Sequence, residues 1–277
     1  MHGVQGRLLA RSARGDGRHV VLLVELGGAP AVIKFYGRKR DWLRDLLRDV
    51  GHRVVIGKTG MTATARCRTE REVLALWSAR GYDVPRTLDA ELPRGVPRLR
   101  LVSEFVAGSL LSSIVADPAV AIAEKERLLA RLAGDWSRRH GDAIALREPR
   151  QRHSHAMLPH VIHVPATSGA PERLVTHDFE VAWARRSAVA RLASLEIAQL
   201  LDSVARFALA DELAPLVAAF VRGYPVRERL DRVAADAMRG RLPWLAPVTR
   251  LGLLLNERGP GRKLSALRLL EEALRTE

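Results

Sequence analysis

The sequence is poor in several features whose scarcity excludes whole classes of protein. Its 277 residues contain one cysteine, Cys67, so no disulfide can form within the chain, which is compatible with a reducing compartment. No charge-free run of about 18 apolar residues occurs, which predicts that no helix spans a membrane. Residues 1–7 lack the long apolar core of a signal peptide. We therefore expect a cytoplasmic protein, or one that touches the inner membrane only peripherally.

Lysine is scarce as well, yet the chain is strongly basic. The formal net charge is +14, and arginine supplies nearly all of the positive side chains. Such a charge attracts a phosphate-bearing ligand, an anionic glycolipid or membrane surface, or nucleic acid. A genome rich in G and C would also enrich arginine, so charge alone does not choose among these partners. The lysines are Lys34, Lys39, Lys58, Lys125 and Lys263.

The first part of the chain has the pattern of a small antiparallel sheet. Apolar runs at residues 4–13, 20–26 and 31–36 are separated by glycine-containing turns, which predicts three strands joined as a meander. Alternation in the third run places Lys34 on the face opposite to Ile33 and Phe35. Lys34 is therefore a lysine carried by an otherwise hydrophobic strand.

The rest of the chain is mostly helical. The spacing of apolar residues predicts helices over 41–50 and 69–80, a loop over 51–65 between them, and a strand over 99–105. Strands followed by helices predict an α+β fold with two lobes. We expect an N-terminal lobe at 1–108 and a larger helical C-terminal lobe at 109–277. Further helices are predicted at 123–140, 188–206, 211–222, 226–238 and 265–275.

Four short segments of the chain form an ordered set. They are Ala31-Val-Ile-Lys34, a helix with Glu70 near its start, the strand with its connection at 101–108, and the stretch from His153 to Glu180 that contains Asp178-Phe179. Together these segments resemble the protein-kinase-like superfamily. The resemblance is closest to bacterial lipopolysaccharide kinases, which phosphorylate heptose or Kdo sugars, and more distant to aminoglycoside phosphotransferases.

The resemblance implies a two-lobed kinase-like fold and a role for each matching residue. Lys34 would contact nucleotide phosphates, and Glu70, on an αC-type helix, would hold Lys34 in place. Glu104 and Val106 lie in the segment similar to the hinge, whose backbone reads adenine. Asp178 matches the metal-binding aspartate. ATP and Mg²⁺ or Mn²⁺ are the implied cofactors.

The catalytic loop departs from the family pattern at one position. Aligned with His-Gly-Asp-x4-Asn of the aminoglycoside group, His153 matches the histidine, Ser154 the glycine, His155 the catalytic aspartate and His160 the metal-binding asparagine. The lipopolysaccharide kinases also resemble this chain in placing histidine at the last of these positions. A neutral imidazole at 155 can accept a proton, but it lacks the negative charge of aspartate.

A second copy of the expected triplet occurs at His140-Gly-Asp142. In that register the metal-ligand position would be Arg147, and the charged residues 148–152 could not form the apolar strand that should follow. The register that starts at His153 places Val161 to Val164 there instead. We therefore interpret His140-Gly141 as the end of a helix.

Three further features bear on the site. Residues 13–17 carry turn glycines but no Gly-x-Gly-x-x-Gly, so backbone cradling of phosphates is not predicted. Glu180 replaces the usual glycine after Asp178-Phe179 and could either bind a metal or, as we favour, pair with an arginine such as Arg185. A zinc site is a further reading of the crowded histidines, although their spacing matches no structural zinc template. These histidines are His153, His155, His160, His163 and His177.

Two functions remain open from the sequence. The first is an ATP-dependent phosphotransferase that acts on a sugar hydroxyl of a glycolipid, with the basic surface holding an anionic substrate. The second is a pseudokinase, which would bind nucleotide or act as a scaffold without efficient transfer. Nucleic-acid binding rests on charge alone, and we do not expect it.

Overall fold

The computed structural model describes residues 6–11, 19–37, 49–92, 96–184, 186, 189–238 and 260–276. Contacts divide the chain into two compact units. The first unit consists of Met1–Gly108 together with Val164–Arg185, and the second of Ser109–His163 together with Arg186–Glu277. The segment that carries Asp178 therefore groups with the N-terminal strands.

The first unit contains the predicted antiparallel sheet. Its strands are β1 (Arg7–Arg11), β2 (Val20–Leu26), β3 (Ala29–Phe35) and β4 (Arg100–Glu104), in that spatial order. In the register of the sheet, Lys34 on β3 lies opposite Val21 on β2 and Leu101 on β4. The meander and the hinge-type strand predicted from the sequence are both present.

The alternation of β3 decides which of its side chains enter the core. Ile33 and Phe35 are buried in an apolar cluster with residues of β2 and β4, such as Leu22 and Val102. Lys34 points away from this cluster because successive strand residues face opposite sides. A second apolar cluster of the same unit includes Trp77, Leu101 and Phe179.

The helix that carries Glu70 is longer than predicted. Helix α1 spans Ala63–Ala79, so residues 63–65 are helical rather than part of a loop over 51–65. Its start is set by Thr62, whose hydroxyl accepts a hydrogen bond from the Ala65 N–H at 3.2 Å. Gly81 follows the helix with a φ of +71°, the conformation expected of a glycine that ends a helix. A π-helical turn occupies Gly51–Ile56, and most of the helix predicted at 41–50 lies outside the described residues.

The second unit is mainly helical, as predicted. Two short strands, β5 (Ser109–Leu110) and β6 (Val161–Val164), pair in antiparallel fashion. The predicted helix over 123–140 extends to Ala145, so His140-Gly141 lies within it and is not its end. The described helices of this unit are α2 (Leu111–Ala116), α3 (Ile122–Ala145), α4 (Val189–Phe207), α5 (Leu213–Gly223), α6 (Arg227–Met238) and α7 (Pro260–Thr276). None of the helices in the described part of the chain has the length and apolarity that crossing a membrane requires.

Candidate functional site

Lys34 is the centre of a charged cluster in the first unit. Its Nζ atom lies 3.1 and 2.8 Å from the two carboxylate oxygens of Glu70 and 2.7 Å from Oδ1 of Asp178. A third carboxylate, that of Glu180, approaches Nζ to 3.0 Å. The structure thus brings Lys34, Glu70 and Asp178 together, three of the residues that the sequence singled out. We call Lys34, Glu70, Asp178 and Glu180 the Lys34 cluster.

Glu70 is held on both sides. It lies in the second turn of α1 on the buried face, next to Val73 and Leu74, which are core residues. The Tyr36 hydroxyl, at the end of β3, donates a hydrogen bond of 2.6 Å to Glu70 Oε2. Two donors, Lys34 and Tyr36, therefore fix the carboxylate, as expected for a residue that orients the lysine.

Asp178 has an unusual backbone conformation that the next residue stabilises. Its φ is +68°, in the left-handed region that few residues other than glycine adopt. Phe179 is buried and packs against Trp77 of α1, with ring centroids 4.7 Å apart. The Asp178 side chain remains 41% exposed, so it is accessible to a ligand while its backbone is anchored. Strained backbone held by surrounding packing is often found at functional sites.

Glu180 pairs with an arginine, as the sequence analysis favoured, but the partner is Arg66. Arg66 is 1% exposed, and its Nη1 lies 2.9 Å from Glu180 Oε2. His19 Nε2 lies 3.1 Å from the other carboxylate oxygen. Arg66 also donates to the backbone carbonyls of Met61 and Gly37. Arg185, the partner first considered, lies outside the described residues.

The protonation of the cluster follows from burial and charge. Burial alone would lower the pKa of Lys34, but the carboxylates of Glu70, Asp178 and Glu180 outweigh it and raise this pKa above its ordinary value. Burial raises the pKa of Glu70, and the nearby Lys34 opposes that rise. Burial and the adjacent Glu70 raise the pKa of the Tyr36 hydroxyl. Lys34 therefore remains positively charged throughout the physiological pH range.

The same cluster contains the donor atoms that a hard divalent cation prefers. One carboxylate oxygen each from Glu70, Asp178 and Glu180 lies within 4.8 Å of the others. Mg²⁺ and Mn²⁺ favour such oxygen ligands. These carboxylates thus fit the divalent cation that the resemblance implies, and Asp178, which was expected to bind it together with His160, is the most exposed of the three.

The hinge-type segment also belongs to the first unit. Glu104 ends β4, and its backbone N–H donates to the Arg86 carbonyl at 2.9 Å. The Glu104 carboxylate accepts a hydrogen bond from the Arg86 N–H at 3.2 Å, so this side chain stabilises the segment before β4. Val106 is half-buried, and within the described part of the chain its backbone makes no hydrogen bond. The role of either residue in reading adenine remains a prediction.

The loop with the catalytic-type histidines belongs to the second unit. His155 is exposed, and its Nδ1 lies 3.1 Å from the Ser154 hydroxyl oxygen. His160 Nδ1 lies 2.6 Å from the His155 carbonyl oxygen. Because a carbonyl only accepts, Nδ1 of His160 must carry the proton, which leaves the lone pair at Nε2. The loop thus presents His160 in the tautomer that could bind a metal through Nε2.

A buried glutamate that the sequence analysis missed anchors this loop. Glu196 of α4 is 1% exposed, and its Oε1 accepts a hydrogen bond from the His153 N–H at 3.1 Å. Arg139 Nη2 approaches Oε1 to 2.5 Å, and Arg152 Nε approaches Oε2 to 2.8 Å. Burial would raise the pKa of Glu196, but the two arginines lower it well below its usual range. The signal in the sequence was a lone acid on the apolar face of a helix.

The described residues of the second unit support neither a catalytic loop at His140-Gly-Asp142 nor a zinc site formed by the histidines. His140 is fully buried within α3, with Nε2 3.1 Å from Glu196 Oε2 and Nδ1 2.8 Å from the Tyr224 hydroxyl. The triplet His140-Gly-Asp142 is therefore helical and cannot be a catalytic loop. Among the described residues of this unit, no three histidines bring ring nitrogens close enough to share a zinc ion.

Known proteins are similar to this chain in structure rather than in sequence. No family model and no curated protein matches it. The structure of WaaP in complex with acyl carrier protein is 15% identical to this chain, with a TM-score of 0.51, and the alignment covers 88% of this chain and 90% of WaaP. This likeness shows a protein-kinase-like fold and confirms, at the level of the fold, the resemblance predicted from the sequence.

Two further structures align over almost the whole chain with lower scores. One is the kinase domain of a sucrose-induced receptor kinase from maize bound to AMP-PNP, with 11% identity, a TM-score of 0.38 and coverage of 98% of this chain and 93% of that chain. The other is a proposed aminoglycoside phosphotransferase from Ralstonia eutropha, with 12% identity, a TM-score of 0.40 and coverage of 99% and 94%.

Proposed function

We propose that this chain is an ATP-dependent phosphotransferase that acts on a sugar hydroxyl of a glycolipid such as the lipopolysaccharide core. The observation that carries the proposal is the contact of Lys34 Nζ with both Glu70 and Asp178, at 2.8 and 2.7 Å. Phosphoryl transfer depends chiefly on positioned phosphates, charge neutralisation and an oriented acceptor. The Lys34 cluster offers the groups for the first two requirements.

The residues of the Lys34 cluster would divide the binding of ATP between them. Lys34, kept cationic by its carboxylate neighbours, would bind phosphate oxygens, and Glu70 would keep its side chain extended along β3. A bound Mg²⁺ or Mn²⁺ ion supplies neutralisation of the phosphate charge. Asp178 would hold that ion, with His160 as a second ligand whose imidazole suits Mn²⁺ better than Mg²⁺. The hinge-type backbone at Glu104 and Val106 would contact adenine.

His155 would take the role of the catalytic base. When its Nδ1 donates a hydrogen bond to Ser154 Oγ, 3.1 Å away, the lone pair lies at Nε2. At Nε2 the ring would accept the proton of the acceptor hydroxyl while that oxygen bonds to the γ-phosphorus of ATP and the bond from this phosphorus to the bridging oxygen breaks, releasing ADP. Glu196 would act as a positioning residue, because it holds the backbone N–H of His153 just before the base.

The proposed acceptor and location follow from charge and resemblance. The net charge of +14 would attract an anionic glycolipid to the protein. The likeness in fold to WaaP and the resemblance of the sequence to bacterial lipopolysaccharide kinases support such an acceptor. A cytoplasmic protein that binds the inner membrane peripherally would meet such a substrate while ATP is available.

A pseudokinase is the second candidate, and one observation favours it. The position of the catalytic aspartate is occupied by a histidine, which is neutral when it can act as a base and so cannot match the charge of a carboxylate. In this case the Lys34 cluster would still bind nucleotide, but phosphoryl transfer would be slow or absent.

The test is transfer of labelled γ-phosphate from ATP, with Mg²⁺ or Mn²⁺, to lipopolysaccharide core from which phosphate has been removed. We expect labelled glycolipid from the wild type, no label with Lys34→Met, and a loss of about 10²-fold or more with His155→Ala. His163→Ala is the matched control and should transfer label normally. ATP binding without transfer in the wild type would contradict the enzyme and leave the pseudokinase. Absence of ATP binding would contradict both.

A further inference from the structure

A pocket in the first unit lies apart from the Lys34 cluster. It has a volume of about 560 Å³ and is lined by α1, by residues 87–90, by Arg98 and by the start of β4. None of the four residues of the Lys34 cluster lines it. Three arginines, Arg71, Arg98 and Arg100, and one acid, Asp89, supply its charged side chains, so its lining is positive overall.

Among the residues that the structure describes, these three arginines form no ion pairs with carboxylates. Within the described part of the chain, no carboxylate forms an ion pair with Arg71, Arg98 or Arg100, whereas other arginines such as Arg66 and Arg139 pair with buried acids. Arg71 Nη2 donates to the Arg100 carbonyl at 3.2 Å, and Arg100 Nη1 donates to the Pro97 carbonyl at 2.9 Å. Each bond orients a guanidinium group but uses only one of its five N–H donors.

We propose that this pocket binds a phosphate group or a comparable dianion. Guanidinium groups bind phosphate oxygens through paired N–H donors, and several arginines around one concave surface provide such pairs from different directions. The Thr87 hydroxyl, also in the lining, offers a further donor. The phosphate could belong to a free phosphorylated compound or to a lipid headgroup, since both present the same group.

The position of the pocket next to the Lys34–Glu70 pair should couple anion binding to nucleotide binding. This coupling rests on the proposed function. Arg71 directly follows Glu70 on α1, and Leu101 of the lining lies opposite Lys34 in the sheet. An anion bound by Arg71, Arg98 and Arg100 would hold α1 against the start of β4 and the segment before it. The Lys34–Glu70 pair would then be more firmly held, so anion and nucleotide should raise each other's affinity by the same factor.

The test is calorimetric titration of the full chain with inorganic phosphate in the absence of nucleotide. Phosphate should bind the wild type, whose pocket carries Arg71, Arg98 and Arg100. In the double variant Arg71→Gln with Arg98→Gln, both at exposed positions, the affinity should fall about tenfold or more. Arg68→Gln is the matched control: Arg68 lies on the same helix, is 78% exposed and does not line the pocket, so its loss should leave the affinity unchanged.

The source of the phosphate is distinguished by co-sedimentation with vesicles of phosphatidylcholine that do or do not contain phosphatidic acid. Vesicle binding lost in the double variant and kept in Arg68→Gln assigns the pocket to a lipid headgroup. Phosphate binding without vesicle binding assigns it to a free compound. Equal affinity in all variants, or no dependence on Arg71 and Arg98 in either assay, overturns the proposal. Because no nucleotide is present, this result does not depend on whether the chain binds ATP.

Discussion

Lys34 shows how a single side chain can organise a site. Its side chain is 12% exposed and its Nζ lies within 3.1 Å of three carboxylates, an arrangement that no isolated lysine on a strand would adopt. Burying several charges is favourable only when each is paired and hydrogen-bonded. Arg66 adds a second positive charge next to Glu180, so the Lys34 cluster together with its neighbours Arg66 and His19 comprises three acids, two bases and one histidine. The near balance of negative and positive charges explains how so many charged side chains can be buried together.

Glu180 is the side chain that joins the two positive charges. Replacing Glu180 with Gln should lower the free energy of unfolding by about 1–3 kcal/mol, because the buried Arg66 loses its carboxylate partner. Urea denaturation measures this change. Glu25→Gln, at an exposed position of β2, is the control and should alter stability by less than about 0.5 kcal/mol. An equal effect of the two substitutions would contradict the pairing.

The burial of His140 should make the stability of the protein depend on pH. Burial, reinforced by the nearby Arg152, lowers the pKa of His140 from 6.5 to about 3. Between these values the unfolded chain binds a proton that the folded chain does not, so stability should fall as the pH is lowered from about 6.5. The slope contributed by this residue is at most about 1.4 kcal/mol per pH unit. Unfolding by urea at pH 7, 6 and 5 should show this slope in the wild type and a shallower one in His140→Gln, whereas parallel slopes would contradict a buried neutral His140.

Helix α1 connects local sequence to the site at the scale of an element. Its N-terminus is capped by Thr62, its first two turns carry Arg66 and Glu70 on the buried face, and its C-terminal half packs Trp77 against Phe179. Arg66, Glu70 and Trp77 lie on the buried face, so the position of the helix sets the position of the Lys34–Glu70 pair. A substitution of the capping residue Thr62 should therefore affect the Lys34–Glu70 pair.

Thr62→Ala removes the hydroxyl that accepts the Ala65 N–H. We expect a loss of about 1 kcal/mol of stability, together with faster hydrogen exchange in the first turn of α1. Thr64→Ala is the matched control, because Thr64 is exposed two residues further along and makes no capping bond. Hydrogen exchange measured by mass spectrometry on both variants tests the difference. Identical exchange would show that the helix does not depend on this cap.

At the scale of the whole molecule, residue patterns predicted the architecture better than they predicted the partners of buried charges. Alternation identified Lys34 as the exception on its strand, and 3.6-residue spacing located most helices. The start of α1 was missed because a loop rich in glycine and threonine conceals a capping threonine. Arg66 and Glu196 were missed because their partners are distant in sequence, and only folding brings Glu180 and Arg152 to them.

The strong positive charge also acts at the scale of the whole molecule. Some of the positive charges are neutralised in buried ion pairs, such as those of Arg66, Arg139 and Arg152. Sequence composition does not show which arginines are paired in this way. The arginines of the pocket beside α1 differ, since within the described residues they form no ion pairs. The same residue type thus serves both to stabilise the interior and, in our proposal, to bind anions.

The most direct test of the account is thermal unfolding with increasing ATP and Mn²⁺ in a pair of matched variants. Glu70→Gln removes the carboxylate that holds Lys34, whereas Glu72→Gln removes an equal charge from the exposed side of the same helix. The account predicts that ATP raises the unfolding temperature of the wild type and of Glu72→Gln. At an ATP concentration of 100 times the Kd, the free energy of unfolding should increase by about 2.7 kcal/mol. The account also predicts that Glu70→Gln responds weakly or not at all. A wild type that does not respond, or a Glu70→Gln variant that responds fully, would contradict the claim that the Lys34 cluster binds nucleotide.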